Sequence, residues 1–203
     1  MAKLAQGQPA LSALVAPSVP YGVTDYAAGF AGAVSIGAAA LVTYLGAVVD
    51  ALLAAGFAHV CVVNNHLEPA HDAAIRAVRT AERGSRVSVA CPLTRRWART
   101  LSAEFKSGAC HAGQYETSIV LAAAPALVDE AARAALPAVP ISLSQEIAAG
   151  RTTFAAMGLT QAYAGAPAQA TAAEGAQLID QLAEMICGEV REALAPPASA
   201  SDL

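Results

Sequence analysis

Charge is scarce in this sequence: Asp, Glu, Lys and Arg make up 14% of its residues, and aromatic residues only 5%. So little charge beside a hydrophobic fraction of 56% excludes a disordered polypeptide. There is no basic block, since 12 Lys and Arg face 16 Asp and Glu for a formal net charge of −4. That argues against nucleic acid or an anionic membrane surface as a main partner. Cys61, Cys91, Cys110 and Cys187 form no C-x-x-C pair, so they read as reduced thiols of a cytoplasmic protein rather than a disulfide framework. A Walker loop, a dinucleotide fingerprint and a G-x-S-x-G elbow are missing as well, and with them the nucleotide and serine-hydrolase readings they carry. What is there is an alanine-rich chain of 203 residues, long enough for one domain with a large core.

The longest uncharged stretch, residues 26–49, lies between Asp25 and Asp50, and the mean hydropathy is +0.46. Its length alone would allow a membrane span. Gly29, Gly32, Gly37 and Gly46 interrupt it, and no Lys or Arg flanks either end, so it reads as a loop followed by a buried helix. The amino terminus, MAKLAQGQPALSALV, has no signal-peptide pattern. A cytoplasmic protein that does not enter the membrane is expected.

Short apolar runs alternate with alanine-rich helical stretches. Strands are expected at 11–19, at 58–65 and at 86–92, where β-branched runs meet turn residues or proline, and a short edge strand at 139–143. Helices are expected at Ala38–Ala55, closed by Gly56, at His71–Arg83, closed by Gly84, and at Thr117–Ala124. A last helix, Thr171–Leu194, places Leu178, Ile179, Leu182, Met185, Ile186 and Val190 at helical spacing, and so is expected to dock one face on the sheet. The pattern predicts an α/β fold, a layered α/β/α sandwich on a mainly parallel central sheet. Residues 1–194 form the single expected domain, with 195–203 as a disordered tail.

Two polar clusters carry candidate chemistry. NNHLEP, Asn64–Pro69, follows an apolar run, where α/β sheets bind ligands beyond the carboxyl ends of their strands. His66 and Glu68 are two residues apart, which in an extended segment turns both side chains to one side. An imidazole and a carboxylate so placed suit Zn²⁺ or Mn²⁺, or simply form a polar loop whose Asn65 or His66 satisfies the backbone. CHAGQYETS, Cys110–Ser118, sets His111 in a glycine loop, the position of a general base, and Glu116 where a helix begins, the position of a site carboxylate or of an answer to the helix dipole. Arg95, Arg96 and Arg99 around Trp97 read as a solvated face or an anion grip, His59 as structural, His71 as exposed, and Asp25 as a turn residue or a site carboxylate.

The order of these clusters resembles the creatininase (creatinine amidohydrolase) family. The matching segments are PYG at 20–22, GFAGAVSI at 29–36, GF at 56–57, NNHLEP at 64–69, HAGQYETS at 111–118 and GAPAQATAAEG at 165–175. The resemblance implies a metal-dependent amidohydrolase on a layered α/β fold, assembled as a homo-oligomer, a hexamer in the family. It implies two divalent ions, zinc or manganese, that activate a water against a small cyclic or linear amide. By the same resemblance His66 matches a ligand of one metal and Glu68 a ligand of the other. His111 matches the catalytic histidine that passes a proton to the leaving nitrogen, and Glu116 the glutamate beside the site.

The departures carry expectations too. The family's first motif, E-x-H-G-x-H-L-P and a following aspartate, has no counterpart in these residues, so part of the implied ligand set and the first strand are missing. Leu67 stands for a tyrosine, Ser107 and Gly108 for a tryptophan and an acidic residue, and Ala31 and Ala33 change the FPGT stretch. The implied substrate is therefore an amide other than creatinine. The alternative expectation is a non-catalytic, metal-poor family member, a pseudoenzyme or truncated gene product that acts as an oligomeric or ligand-binding protein.

Overall fold

The computed structural model describes residues 2–6 and 11–195. Its described residues fall into two compact units: those within 1–23, 36–91 and 183–203 form the first, and 24–35 with 92–182 the second. The expected tail lies outside the described residues from position 196 onward.

The first unit opens with the short helix α1 (Ala2–Ala5), followed by α2 (Ala38–Ala54), β1 (Val60–Val63), α3 (Pro69–Ala77) and β2 (Val87–Ala90). Leu41, Leu45 and Val49 recur at helical spacing on α2 and are buried, which is how the uncharged stretch is used. Among the described residues no helix is long and apolar enough to cross a membrane. β1 and β2 pair in parallel, with Val60 opposite Val87 and Val63 opposite Ala90. Such a pair needs a crossover, and α3 supplies it. The unit's core joins Val23 and the apolar face of α2 to Ala74, Ile75 and Val78, and to Val87, Val89 and Cys91.

The second unit is built from short helices: α4 (Arg95–Ala98), α5 (Ala103–Ser107), α6 (Gln114–Ala123), α7 (Glu130–Ala134), α8 (Leu143–Ala148) and the start of α9 (Ala172–Leu194). Its described residues form no strand, only antiparallel bridges between His111 and Ala164 and between Val139 and Gly165. A core of Phe154, Met157, Leu159 and Ala164 gathers Tyr26, Phe30, Val139 and Ile141. From Ala183, α9 belongs to the first unit, where Cys187 and Val190 pack with Leu4, Leu11 and Cys61. On the same helix Leu178 and Met185 are buried, while Ile179 is exposed.

The mixture of helices with a parallel strand pair is the expected α/β class. The sheet itself differs from expectation in extent. Residues 11–20 take no regular structure and join no ladder, because Pro17 and Pro20 offer no N–H, and Leu14 and Val15 are 80% and 81% exposed. Residues 139–143 make one bridge and no strand, since Pro140 interrupts them. With a single neighbouring strand, β1 is half-buried and Val63 exposed, whereas all four residues of β2 are buried.

Candidate active site

β1 delivers the first cluster. The ladder runs one residue past the strand, Asn64 N–H donating to Ala90 O at 2.9 Å. The buried Asn64 side chain then folds around the next turn. Its Oδ1 accepts from His66 N–H at 3.1 Å, and its Nδ2 donates to His66 O at 2.8 Å. Asn64 thus fixes the backbone of the loop at His66. Pro69 starts α3, where a missing N–H costs nothing, and Glu68 sits at the N-cap with no side-chain cap bond.

His66 and Glu68 do approach each other, Nε2 to Oε2 at 3.9 Å, with Glu68 buried and the imidazole 43% exposed. His66 Nε2 also lies 2.7 Å from Val23 O. A carbonyl only accepts, so this nitrogen carries the proton. His71, expected to be exposed, is instead half-buried. Its Nδ1 accepts from Val23 N–H at 3.2 Å, and its ring meets that of His66 edge-on, centroids 4.8 Å apart. Burial, and next the neighbouring His66, lower the His71 pKa. The two imidazoles thus clip both backbone groups of Val23, and Gly22 is required because a Cβ there would strike the His71 ring.

His66 and Glu68 are two donors, and the His66 Nε2 lone pair is used up by the proton it gives Val23. Among the described residues no three His, Cys, Asp or Glu side chains converge in a set able to hold a metal ion. The residues present therefore do not amount to a catalytic metal site, which takes a third protein ligand.

The second cluster lies in the second unit. The His111 ring stacks on Phe154, centroids 4.4 Å apart, and its carbonyl accepts from Ala164 N–H at 2.8 Å. Ala112 follows at φ 48°, left-handed without being glycine, and its N–H donates to Glu116 Oε2 at 2.6 Å. Burial raises the Glu116 carboxyl above its ordinary value, and the nearby Glu104 raises it further. Burial, with Glu116 and Glu104, pushes the Cys110 thiol up to about 12, so no thiolate nucleophile is available beside His111. His111 and Glu116 thus sit on one short loop and helix turn, linked through the Ala112 N–H.

Other candidates take supporting places. His59 donates from Nδ1 to Ser85 O and accepts at Nε2 from the Ser88 hydroxyl, a structural role. Asp25 starts a single 3-10 turn, Asp25–Ala27. Arg96 lies over the Trp97 ring, 4.5 Å from its centroid. Two glutamates that sequence reasoning passed over do more. Glu174, within the 165–175 motif, accepts from Gln114 Nε2 at 2.7 Å and from the Ser118 hydroxyl at 3.2 Å. Glu104 accepts backbone N–H groups from Tyr115 and Ala166. The motif offered a signal for Glu174; nothing local marked Glu104.

The fold and the two clusters define a creatininase-like α/β protein. The family model for creatininase, creatinine amidohydrolase, matches residues 1–190, and the chain belongs to that family. Among solved structures, a creatinine amidohydrolase (creatininase) is 21% identical with a TM-score of 0.54, covering 89% of this chain and 75% of that one. A manganese creatininase gives 21% and 0.54, covering 87% and 73%. A glutamate-to-glutamine mutant creatininase complexed with creatine gives 21% and 0.52, covering 87% and 74%. No curated protein matches the sequence.

Proposed function

We propose that this chain is an amidohydrolase that hydrolyses a carbon–nitrogen bond of a small cyclic or linear amide other than creatinine. The family match over residues 1–190 carries this reading. His111 is the proposed proton carrier to the leaving nitrogen, and an imidazole suits that task near neutral pH. Glu116, half-buried with its pKa raised, is the carboxyl beside it that holds or releases a proton closer to neutrality than an exposed glutamate. Phe154 fixes the plane of the His111 ring and shields one of its faces.

Divalent zinc or manganese belongs to the proposal through His66 and Glu68, two donors that fall short of a complete site, so the proton steps above rest on the chain's own groups. The reading also takes residues 1–194 as one working domain, self-assembled into a homo-oligomer in the cytoplasm.

The test is hydrolysis by the purified protein of a panel of lactams, cyclic ureides and formamides, with zinc or manganese supplied and then removed by a chelator. The expected result is turnover of at least one class, with His111→Ala lowering kcat by about 10²- to 10⁴-fold while the protein stays folded. A panel with no turnover sinks the reading. The His66 Nε2 bond to Val23 O favours a second reading, a metal-poor binding protein. Metal content per chain separates the two: bound zinc or manganese that is lost in His66→Ala supports the hydrolase, and none in a folded protein supports the binding protein.

A further inference from the structure

We propose that Glu104 is a positioning residue: its carboxylate ties the first turn of α6 to the 164–166 segment and thereby sets where His111 and Glu116 stand. Its Oε1 accepts from Tyr115 N–H at 2.8 Å and its Oε2 from Ala166 N–H at 2.7 Å. Both oxygens act only as acceptors, the bonding of a carboxylate. Such charge-assisted bonds are shorter and stronger than neutral ones. Tyr115 lies in the first turn of α6, whose N-cap, Gly113, supplies no side-chain cap. Glu104 fills that role from another helix and answers the positive end of the α6 dipole.

The glycines of two motifs mark how tightly the carboxylate is gripped. A Cβ on Gly113 would meet Glu104 Oε1 and Ala164 O, and one on Gly165, at φ +109°, would meet Glu104 Oε2 and Ala109 O. The loop is therefore tied at both ends, at His111 by Ala164 and at Tyr115 by Glu104. Between the ties the Ala112 N–H holds Glu116. Gln114 and Ser118 are held separately by Glu174, and Thr171 N–H donates to the Ser118 hydroxyl at 3.0 Å. The groups that bear on Glu116 are the Ala112 N–H, the Glu104 carboxylate and the Cys110 thiol, with His111 at the head of the loop. Glu104 supplies the negative charge among them, so it shapes the field at Glu116 as well as its place.

The role of Glu104 in turnover rests on the amidohydrolase reading; its bonds do not, and the test keeps the two apart. Glu104→Gln and Glu104→Asp are compared with the wild-type protein by backbone amide exchange and by carboxyl-carbon NMR titration. In Glu104→Gln, exchange at Tyr115 and Ala166 accelerates at least about tenfold while β1 and β2 amides keep their protection. The Glu116 titration midpoint moves down, because a negative charge beside it is gone. Glu104→Asp keeps the charge but not the reach, so it restores the midpoint and not the protection. An unchanged midpoint in Glu104→Gln, or acceleration spread evenly over the chain, overturns the proposal.

Should either variant fail to fold, the wild type decides: the Tyr115 and Ala166 amide shifts titrate with the Glu104 carboxyl carbon, and unrelated midpoints overturn the assignment. Where the wild type turns over an amide, Glu104→Gln lowers kcat about tenfold with KM held, and the limb of the pH profile set by Glu116 moves to lower pH. A wild type without turnover removes the amidohydrolase reading and leaves Glu104 to the NMR outcomes.

Discussion

In the first unit, regular structure does the placing. A parallel strand pair ends at Ala90 and Asn64, a crossover helix starts at Pro69, and His66 and Glu68 occupy the short link between them. In the second unit no strand among the described residues leads to His111 and Glu116. Glycines, isolated bridges and two carboxylates that accept backbone and side-chain donors hold the loop instead. The first arrangement follows from apolar periodicity, and a local change disturbs it locally. The second depends on backbones running close together, where one added methyl group has nowhere to go.

That contrast fixes the order of expected effects. Gly175→Ala should be the most damaging, because the new Cβ would collide with Ser118 O and crowd Ala122 where α9 crosses α6. A loss of about 3 kcal/mol in denaturant unfolding is expected, at the upper end for overpacking. A loss no larger than that of an ordinary helix glycine would mean that close backbone approach does not hold the second unit.

In the first unit, His71→Ala leaves the Val23 N–H without its acceptor and should cost about 1–2 kcal/mol. His66→Ala removes the donor to Val23 O and should cost about 1 kcal/mol. Because both act on one residue and touch each other, the double variant should depart from additivity by about 0.5 kcal/mol or more. Strict additivity would break the picture of a shared clip.

The smallest effects are those of pH, and they have opposite signs in the two units. Glu116 binds its proton more tightly in the folded state, so its contribution is full below the ordinary value of 4.5 and is lost as pH rises through the raised value. Glu116→Gln should therefore melt about 2 °C above the wild type at pH 8, and the gap should close as pH falls below 4.5. His71 binds its proton less tightly when folded, so its contribution is full above 6.5 and fades as pH falls toward the lowered value. Melting curves of His71→Ala and wild type should converge over that interval; curves that stay parallel would show that the imidazole is not held neutral.

Legibility in the sequence divides along the same line. The helix expected at 38–55, the strands at 58–65 and 86–92 and the helix at 171–194 all appear, trimmed by a few residues at most, because each is long or rich in β-branched residues. The 11–19 run looked equally apolar but had no partner strand to accept it. Resemblance located His66, Glu68, His111 and Glu116, while their neighbours stayed hidden. A backbone N–H or carbonyl is the same at every position, so nothing in the letters says that Val23 is gripped by two histidines. Glu104 reaches Ala166 across 62 positions, a separation that no local pattern reports. His71 differs from its expected exposure for the same reason, since a helix-opening histidine looks solvent-facing in sequence while its partner, the Val23 N–H, lies 48 positions away.

The Cys110 thiol, displaced to about 12, gives the second unit a clock. A thiol held so far above its ordinary value is poorly ionised at neutral pH, so alkylating reagents and mild oxidants react slowly with it while the loop stays closed. Opening the loop returns the thiol toward its ordinary value, so labelling by iodoacetamide quickens as such openings become more frequent. The residue that stands one position before His111 thus makes the integrity of that loop readable by mass spectrometry of the alkylated protein.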